Sequence, residues 1–177
     1  QKLRADVGAH ETDKAFILID GSTGSSAASK TSDATNYWFD LAINSRGPAF
    51  DDFYTQINQG GAKPTGILWA QGETDAFDID INTTAAQYKQ ALEAIFADMH
   101  QNLGSIPVYI QPIGRRNAFT NTGGIQKIRD IQKEIIEENT WCFDAAETYD
   151  LTLFDDVHLS NNAYITAAER NALTLTN

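Results

Sequence analysis

His158 stands in the stretch FDDVHLSNNAY, with Asp155 three residues before it and Asp156 two before it. A carboxylate at such spacing fixes the tautomer of an imidazole and stabilises its charged form, which is what a general base requires. A metal-binding reading needs further His or carboxylate ligands at matching intervals, and the sequence offers none. A second polar cluster, Gln71-Gly72-Glu73, follows the apolar run GILWA at 66–70. A glycine N–H and a side-chain amide can both donate to a developing oxyanion, and glycine admits a close approach. The same residues also read as a plain strand-to-helix turn, with Glu73 near a helix N-terminus. The third cluster is GSTGSS, Gly21 to Ser26, either a turn or an amide-lined anion nest. It is not a nucleotide-binding P-loop, because no Gly-Lys-Ser/Thr follows.

Other reactive residue types read as structural. His10 and His100 look like solvated helix-surface residues, and Arg115-Arg116 like a solvated pair. Cys142 is the single cysteine and lies in the apolar run TWCFDA. It reads as a buried thiol and excludes both an internal disulfide and a cysteine-based metal site.

These clusters need a scaffold, and four apolar runs supply candidate strands: AFILID (15–20), GILWA (66–70), PVYIQ (107–111) and TWCFDA (140–145). None alternates cleanly, which suits strands covered on both faces. Thr84 and Gln87 form a capping box, followed by the stripe Tyr88, Leu92, Ile95, Phe96 and Met99, and ended by Gly104 and Pro107. A second helix carries Ile125, Ile128, Ile131, Ile135 and Ile136. A third begins at Ser160 and carries Tyr164, Ala167, Ala168 and Leu173. Shorter helices are expected over 36–44 and 51–59, and Ser/Thr/Ala-rich GSTGSSAASKTSDATN as a long loop. Strand–helix alternation implies an α/β fold with a parallel sheet, whose ligand site lies beyond the carboxyl ends of the strands. Gly21–Ser26, Gln71–Asp75, Gly114–Arg116 and the loop before His158 all fall at such ends.

The 177 residues fit one domain with a sizeable core, and 42% hydrophobic content is ordinary for a globular chain. A net charge of −11 argues against nucleic acid and against anionic membrane as partners. No apolar run reaches bilayer-spanning length, and the first residues show no signal-peptide core.

Together the motifs resemble the SGNH hydrolases, and within them the sialate O-acetylesterase-like and acetylxylan-esterase-like carbohydrate esterases. GILWAQGETDA resembles the W-x-Q-G-E-[ST]-D block of that family. ILIDGSTGSSAAS, followed by Trp38, resembles its second block, and FDDVHLSNNAY its final Asp-x-x-His block. The likeness runs over nearly the whole chain. It implies a three-layer α/β/α domain over 1–177 with a flavodoxin-like sheet in the order 2-1-3-4-5. It also implies a serine-type O-acetylesterase that needs no metal or organic cofactor and acts on an acetylated carbohydrate. An extracellular or cell-surface setting follows from the resemblance alone. His158 would be the general base and Asp155 its orienting acid. Gly24 and Gln71 would be oxyanion donors, and Glu73 a second acid near the site, while Asp75 would cap the next helix.

The family's first block, a strand followed by Gly-[QD]-Ser-[NL] bearing the nucleophile, has no counterpart in this sequence. Two readings follow. Either the chain is the C-terminal portion of a longer esterase, its sheet lacking the first strand and the serine supplied by an upstream segment or second chain, or LIDGSTG is a degenerate first block and Ser22 attacks. Motif spacing favours the former and sheet completeness the latter. A catalytically inactive glycan-binding module of the same fold is the alternative function.

Overall fold

The computed structural model describes residues 18–31, 35–115, 121, 123–156 and 158–176. In chain order these form β1 (Ala27–Ser29), β2 (Tyr37–Asp40), β3 (Ser45–Arg46), α1 (Pro48–Gly60), β4 (Ile67–Trp69), α2 (Glu73–Asp78), α3 (Ala85–Leu103), β5 (Val108–Ile110), α4 (Gly124–Glu138), β6 (Cys142–Asp144) and α5 (Asn161–Thr176). Strands β4, β5 and β6 form a parallel sheet in sequential order, with Ile67 opposite Val108 and Val108 opposite Cys142. Sequential parallel order is that of one half of a doubly wound sheet. The expected strands at 66–70, 107–111 and 140–145 are therefore present and aligned.

A second sheet departs from expectation. Strand β1 runs parallel to β2, and β2 antiparallel to β3. The stretch expected as a long loop thus contains a strand, and the helix expected over 36–44 is strand β2 and its turn. The run Tyr37-Trp38-Phe39 is aromatic, and such residues pack best on a pleated surface, as buried Trp38 and Phe39 do. Of the expected strand 15–20, residues 15–17 lie outside the described residues. Leu18–Asp20 form no strand and Leu18 is 96% exposed. No ladder partner lies beside them among the described residues, and an unpaired strand is not held in place.

Helix α3 follows the sequence closely. The Thr84 hydroxyl accepts from Gln87 N at 3.2 Å, and the Gln87 side chain accepts from Thr84 N at 2.9 Å. Its stripe from Tyr88 to Met99 is fully buried. Edge-on aromatic contacts run from Trp38 to Trp69 (4.8 Å), Trp69 to Phe96 (5.3 Å) and Phe96 to Trp141 (6.0 Å), joining both sheets through α3. Each such pair adds about 0.5–1.5 kcal/mol beyond its burial. His100 is half-buried and packs against the edge of this core. Its Nε2 lies 2.8 Å from Ile106 O and its ring 4.0 Å from that of Trp141. Cys142 is buried as expected, and burial pushes its thiol up to about 12.

Two faces differ from the periodicity. In α5, Ser160 Oγ accepts from Ala163 N, but Ala163, Ala167, Asn171 and Ala172 are buried while Tyr164, Ala168 and Leu173 face outward. Small alanines bring this helix close to its support, which the bulky residues would prevent. Among the described residues the parallel sheet alternates, with one face buried and the other partly exposed. Leu68, Tyr109 and Phe143 align across it, and Leu68 and Phe143 are 45% and 44% exposed.

Helices α2 and α4 meet where glycine is required. A Cβ on Gly124 would fall on the Ala76 carbonyl oxygen, whereas one on Gly123 would meet open space. Gly124→Ala is expected to lower unfolding free energy by about 1–3 kcal/mol through overpacking. Gly123→Ala should stay within about 0.5 kcal/mol of the parent. Urea denaturation of both variants checks this.

Candidate active site

The carboxyl end of β4 is braced from three sides. Gln71 is buried, and its side-chain amide donates to Ser26 O at 2.9 Å and to the Asp75 carboxylate. Asp75 is 1% exposed and accepts from Ala28 N through both oxygens, at 2.9 and 3.1 Å. From the α4 side, buried Gln132 donates to Gln71 O at 2.9 Å and accepts from Ile113 N at 3.2 Å. From the β2 side, Trp38 Nε1 donates to Ser26 Oγ at 3.0 Å. The GSTGSS segment and the glutamine block are therefore one unit.

Asp75 is not the helix cap expected of it. Gly72 occupies the N-cap of α2 without a side-chain bond, and the Asp75 carboxylate reaches across to β1 instead. Both side-chain amide hydrogens of Gln71 are committed inside the protein, so that side chain is a brace for the Ser26 turn, and its Oε1 is buried without a partner. Gly72 has φ 140, and a Cβ there would meet Ile113 and Ile128 at 2.8 Å. Its missing side chain makes room for packing rather than for a reacting carbon. Glu73 is exposed at the start of α2, close enough that its charge, after burial and Asp75, helps raise the buried Tyr88 phenol. Gly24 lies exposed in the turn before β1, next to Ser25 at φ 57.

The second cluster is local. One Asp155 oxygen accepts from His158 N at 2.7 Å, and the other lies 2.8 Å from His158 Nδ1. An ionised carboxylate only accepts, so Nδ1 carries the hydrogen and Nε2 is the basic nitrogen. The loop is closed by Phe154 N donating to His158 O (2.7 Å) and Ser160 N to Thr152 O (2.9 Å). The imidazole is 68% exposed and open to a reactant. Ser22 is exposed, and its hydroxyl donates to Asp20 at 2.6 Å, holding that carboxyl below its usual range. Arg115 is exposed and its charge acts on Asp150, while Arg116 and His10 lie outside the described residues. Among the described residues, no group of three or more His, Cys, Asp or Glu is placed to hold a metal ion.

The sequence marked Ser26 only as part of the GSTGSS cluster, and neither the buried role of Asp75 nor Gln132 as a partner emerged from it. Gln132 left a signal, being polar on the same apolar stripe as Ile128 and Ile135.

The model of the carbohydrate esterase family described as sialic acid-specific acetylesterase matches residues 15–177. A solved structure of a protein from Arabidopsis thaliana is similar with a TM-score of 0.60 at 22% identity, over 73% of this chain and 52% of that one. At that identity the likeness concerns the fold, and the chain spans about half the length of that protein.

Burial pushes the Asp75 carboxyl up from 3.8 to about 6, against the hydrogen bonds from Ala28 and Gln71 that favour its charged form. Between those values the folded state binds more protons than the unfolded chain, so this group's contribution to stability is full below 3.8 and lost as pH rises through 6. The difference in unfolding free energy between the parent and Asp75→Asn should change by about 3 kcal/mol across that window and be flat above it. Denaturant titrations at a series of pH values check this.

Proposed function

The chain belongs to the sialic acid-specific acetylesterase family of carbohydrate esterases, and from that premise we propose that it carries the base and the oxyanion side of a serine-type O-acetylesterase. The observation that carries this reading is the His158–Asp155 pair, in which one carboxylate orients both ring and backbone and leaves Nε2 basic and exposed. A serine hydroxyl attacks the acetyl carbonyl of an acetylated glycan as His158 Nε2 removes its proton. Backbone N–H groups of Gly24 and Gln71 hold the oxyanion. The imidazolium, steadied by Asp155, returns the proton to the departing sugar oxygen. Water then attacks the acyl-enzyme with His158 again as base, and acetate leaves. Glu73 contributes negative charge beside the braced turn.

The nucleophile, in this reading, is not Ser22, whose hydroxyl proton is directed at Asp20. It arrives on a segment outside these residues, upstream or on a second chain, that pairs with the outer edge of β4. That strand is an edge among the described residues.

The test uses the intact natural protein that carries this chain. It should hydrolyse 4-nitrophenyl acetate and release acetate from acetylated oligosaccharides. His158→Ala should lower kcat by about 10²- to 10⁴-fold with the melting temperature unchanged. Equal activity in parent and His158→Ala would overturn the assignment.

A further inference from the structure

His158 has a neighbour that the general-base reading leaves unused. Between β6 and α5, Leu153 pairs with Leu159 in an isolated antiparallel bridge. The two bonds flanking that bridge, Ser160 N to Thr152 O at 2.9 Å and Phe154 N to His158 O at 2.7 Å, set Phe154 directly opposite His158. Opposed residues of an antiparallel pair stand on one face of it with Cβ atoms about 5 Å apart, and successive residues alternate between faces. Burial follows that alternation. Leu153 and Leu159 are half-buried, with Leu159 packed against Leu151, Ala163 and Ala167, whereas Phe154 and His158 are exposed. The loop therefore carries an inward pair of leucines and an outward pair, a phenylalanine beside an imidazole.

A single exposed apolar side chain needs no explanation on an ordinary stretch of surface. Position and backbone order set Phe154 apart. Its ring is 81% exposed, and the leucine pair already anchors the loop to the small core beneath α5, so the fold does not use this ring for packing. The backbone beneath the pair is held by the Phe154–His158 bond and by the Asp155 carboxylate, which takes His158 N at 2.7 Å and orients the ring through Nδ1 at 2.8 Å. A phenylalanine on such a backbone has only its own side-chain torsions to lose when a ligand presses on it.

The chemistry of the base decides which half of an ester meets that ring. In the esterase reading, His158 Nε2 returns a proton to the departing alcohol oxygen, which must come within hydrogen-bond reach of it, about 2.6–3.2 Å. The acyl oxygen is drawn instead to the backbone donors of the other cluster. The atoms attached to the alcohol oxygen therefore pass beside the imidazole, and the side chain the loop sets next to the imidazole is Phe154. We propose that Phe154 is a specificity-determining residue that touches the alcohol half of the ester and favours alcohols able to lay a C–H ring face against it over small acyclic ones. The proposal rests on the esterase reading and deepens it, separating the choice of alcohol, made on the His158 loop, from the choice of acyl group, made elsewhere.

The test compares the intact natural protein with its Phe154→Ala and Phe154→Tyr variants on two acetates of primary alcohols, ethyl acetate and cyclohexylmethyl acetate. Phe154→Ala should lower the ratio of kcat/KM for the cyclohexylmethyl over the ethyl ester about tenfold, and Phe154→Tyr should keep the parent ratio. The ratio of cyclohexylmethyl acetate to cyclohexylmethyl butyrate should be the same in all three proteins. Equal loss on both acetates would make Phe154 a support for His158, and a change confined to the acyl ratio would place it on the acyl side. Either result, or an alcohol ratio indifferent to Phe154→Ala, would overturn the proposal while the esterase reading stood. A readout without turnover decides the case in which no ester is hydrolysed. Cyclohexylmethanol titrated into the isotopically labelled proteins should shift the amide resonances of His158 and Leu159 in the parent and in Phe154→Tyr, and not in Phe154→Ala. Such shifts without hydrolysis would keep the alcohol contact and remove the esterase reading, and the absence of both would remove both.

Discussion

One buried carboxylate does the work that a neighbouring strand does in a continuous sheet. Strand β1 pairs with β2 through Ala27 and Ser29, which leaves Ala28 N–H facing away from that ladder. A buried N–H without a partner costs free energy, and Asp75 reaches from α2 to supply both oxygens to it. The same carboxylate receives the Gln71 amide, which in turn holds Ser26 O. This one group thus ties β1 to the Gln71 side chain. Burial outweighs the hydrogen bonds from Ala28, Gln71, Ser29 and its own backbone and raises its pKa, so the arrangement is held by a group whose charge the protein interior disfavours. Such a group specifies an arrangement more than it stabilises one.

That arrangement explains why a hydrophobic strand ends in glutamine, glycine and acid. Trp69 is buried in the aromatic chain from Trp38 to Phe96, fixing the strand end. Gly72 turns with φ 140 under Ile113 and Ile128, a conformation and a space that exclude a side chain. Gln71 is then free to face the Ser26 turn, and Gln132 fastens its backbone to α4. The polar residues serve to lock two loops together.

What the sequence made legible follows the range of each interaction. The His158–Asp155 pair is visible because it spans three residues, and α3 because its capping box and apolar stripe are local. Strands β4, β5 and β6 announce themselves as short apolar runs. Strand β1, Ala-Ala-Ser, has no pattern of its own and exists through its bonds to β2 and Asp75. Tyr37-Trp38-Phe39 carries apolar residues without a period and was open to a helical reading. Asp75 to Ala28 spans 47 residues and Gln132 to Gln71 spans 61, and no local rule connects them. Family resemblance marked Gln71 and Glu73 as a pair with a role. The inward partner of Gln71 is Asp75, one turn further along the same helix entry.

The edge of β4 that is unpaired among the described residues and the nucleophile proposed to lie outside them pose one physical problem. The bonds from β4 to β5 run through Ile67 N and Trp69 O, so the peptide groups of Leu68 point to the opposite edge. Edge groups next to a buried aromatic core invite a partner. A parallel strand seated there would end beside Gln71, since parallel strands in register finish at the same side of a sheet. The network of Asp75, Gln71 and Ser26 lies at the same end of the sheet as that edge. The Ser22 hydroxyl and its own N–H are both bound to Asp20 instead.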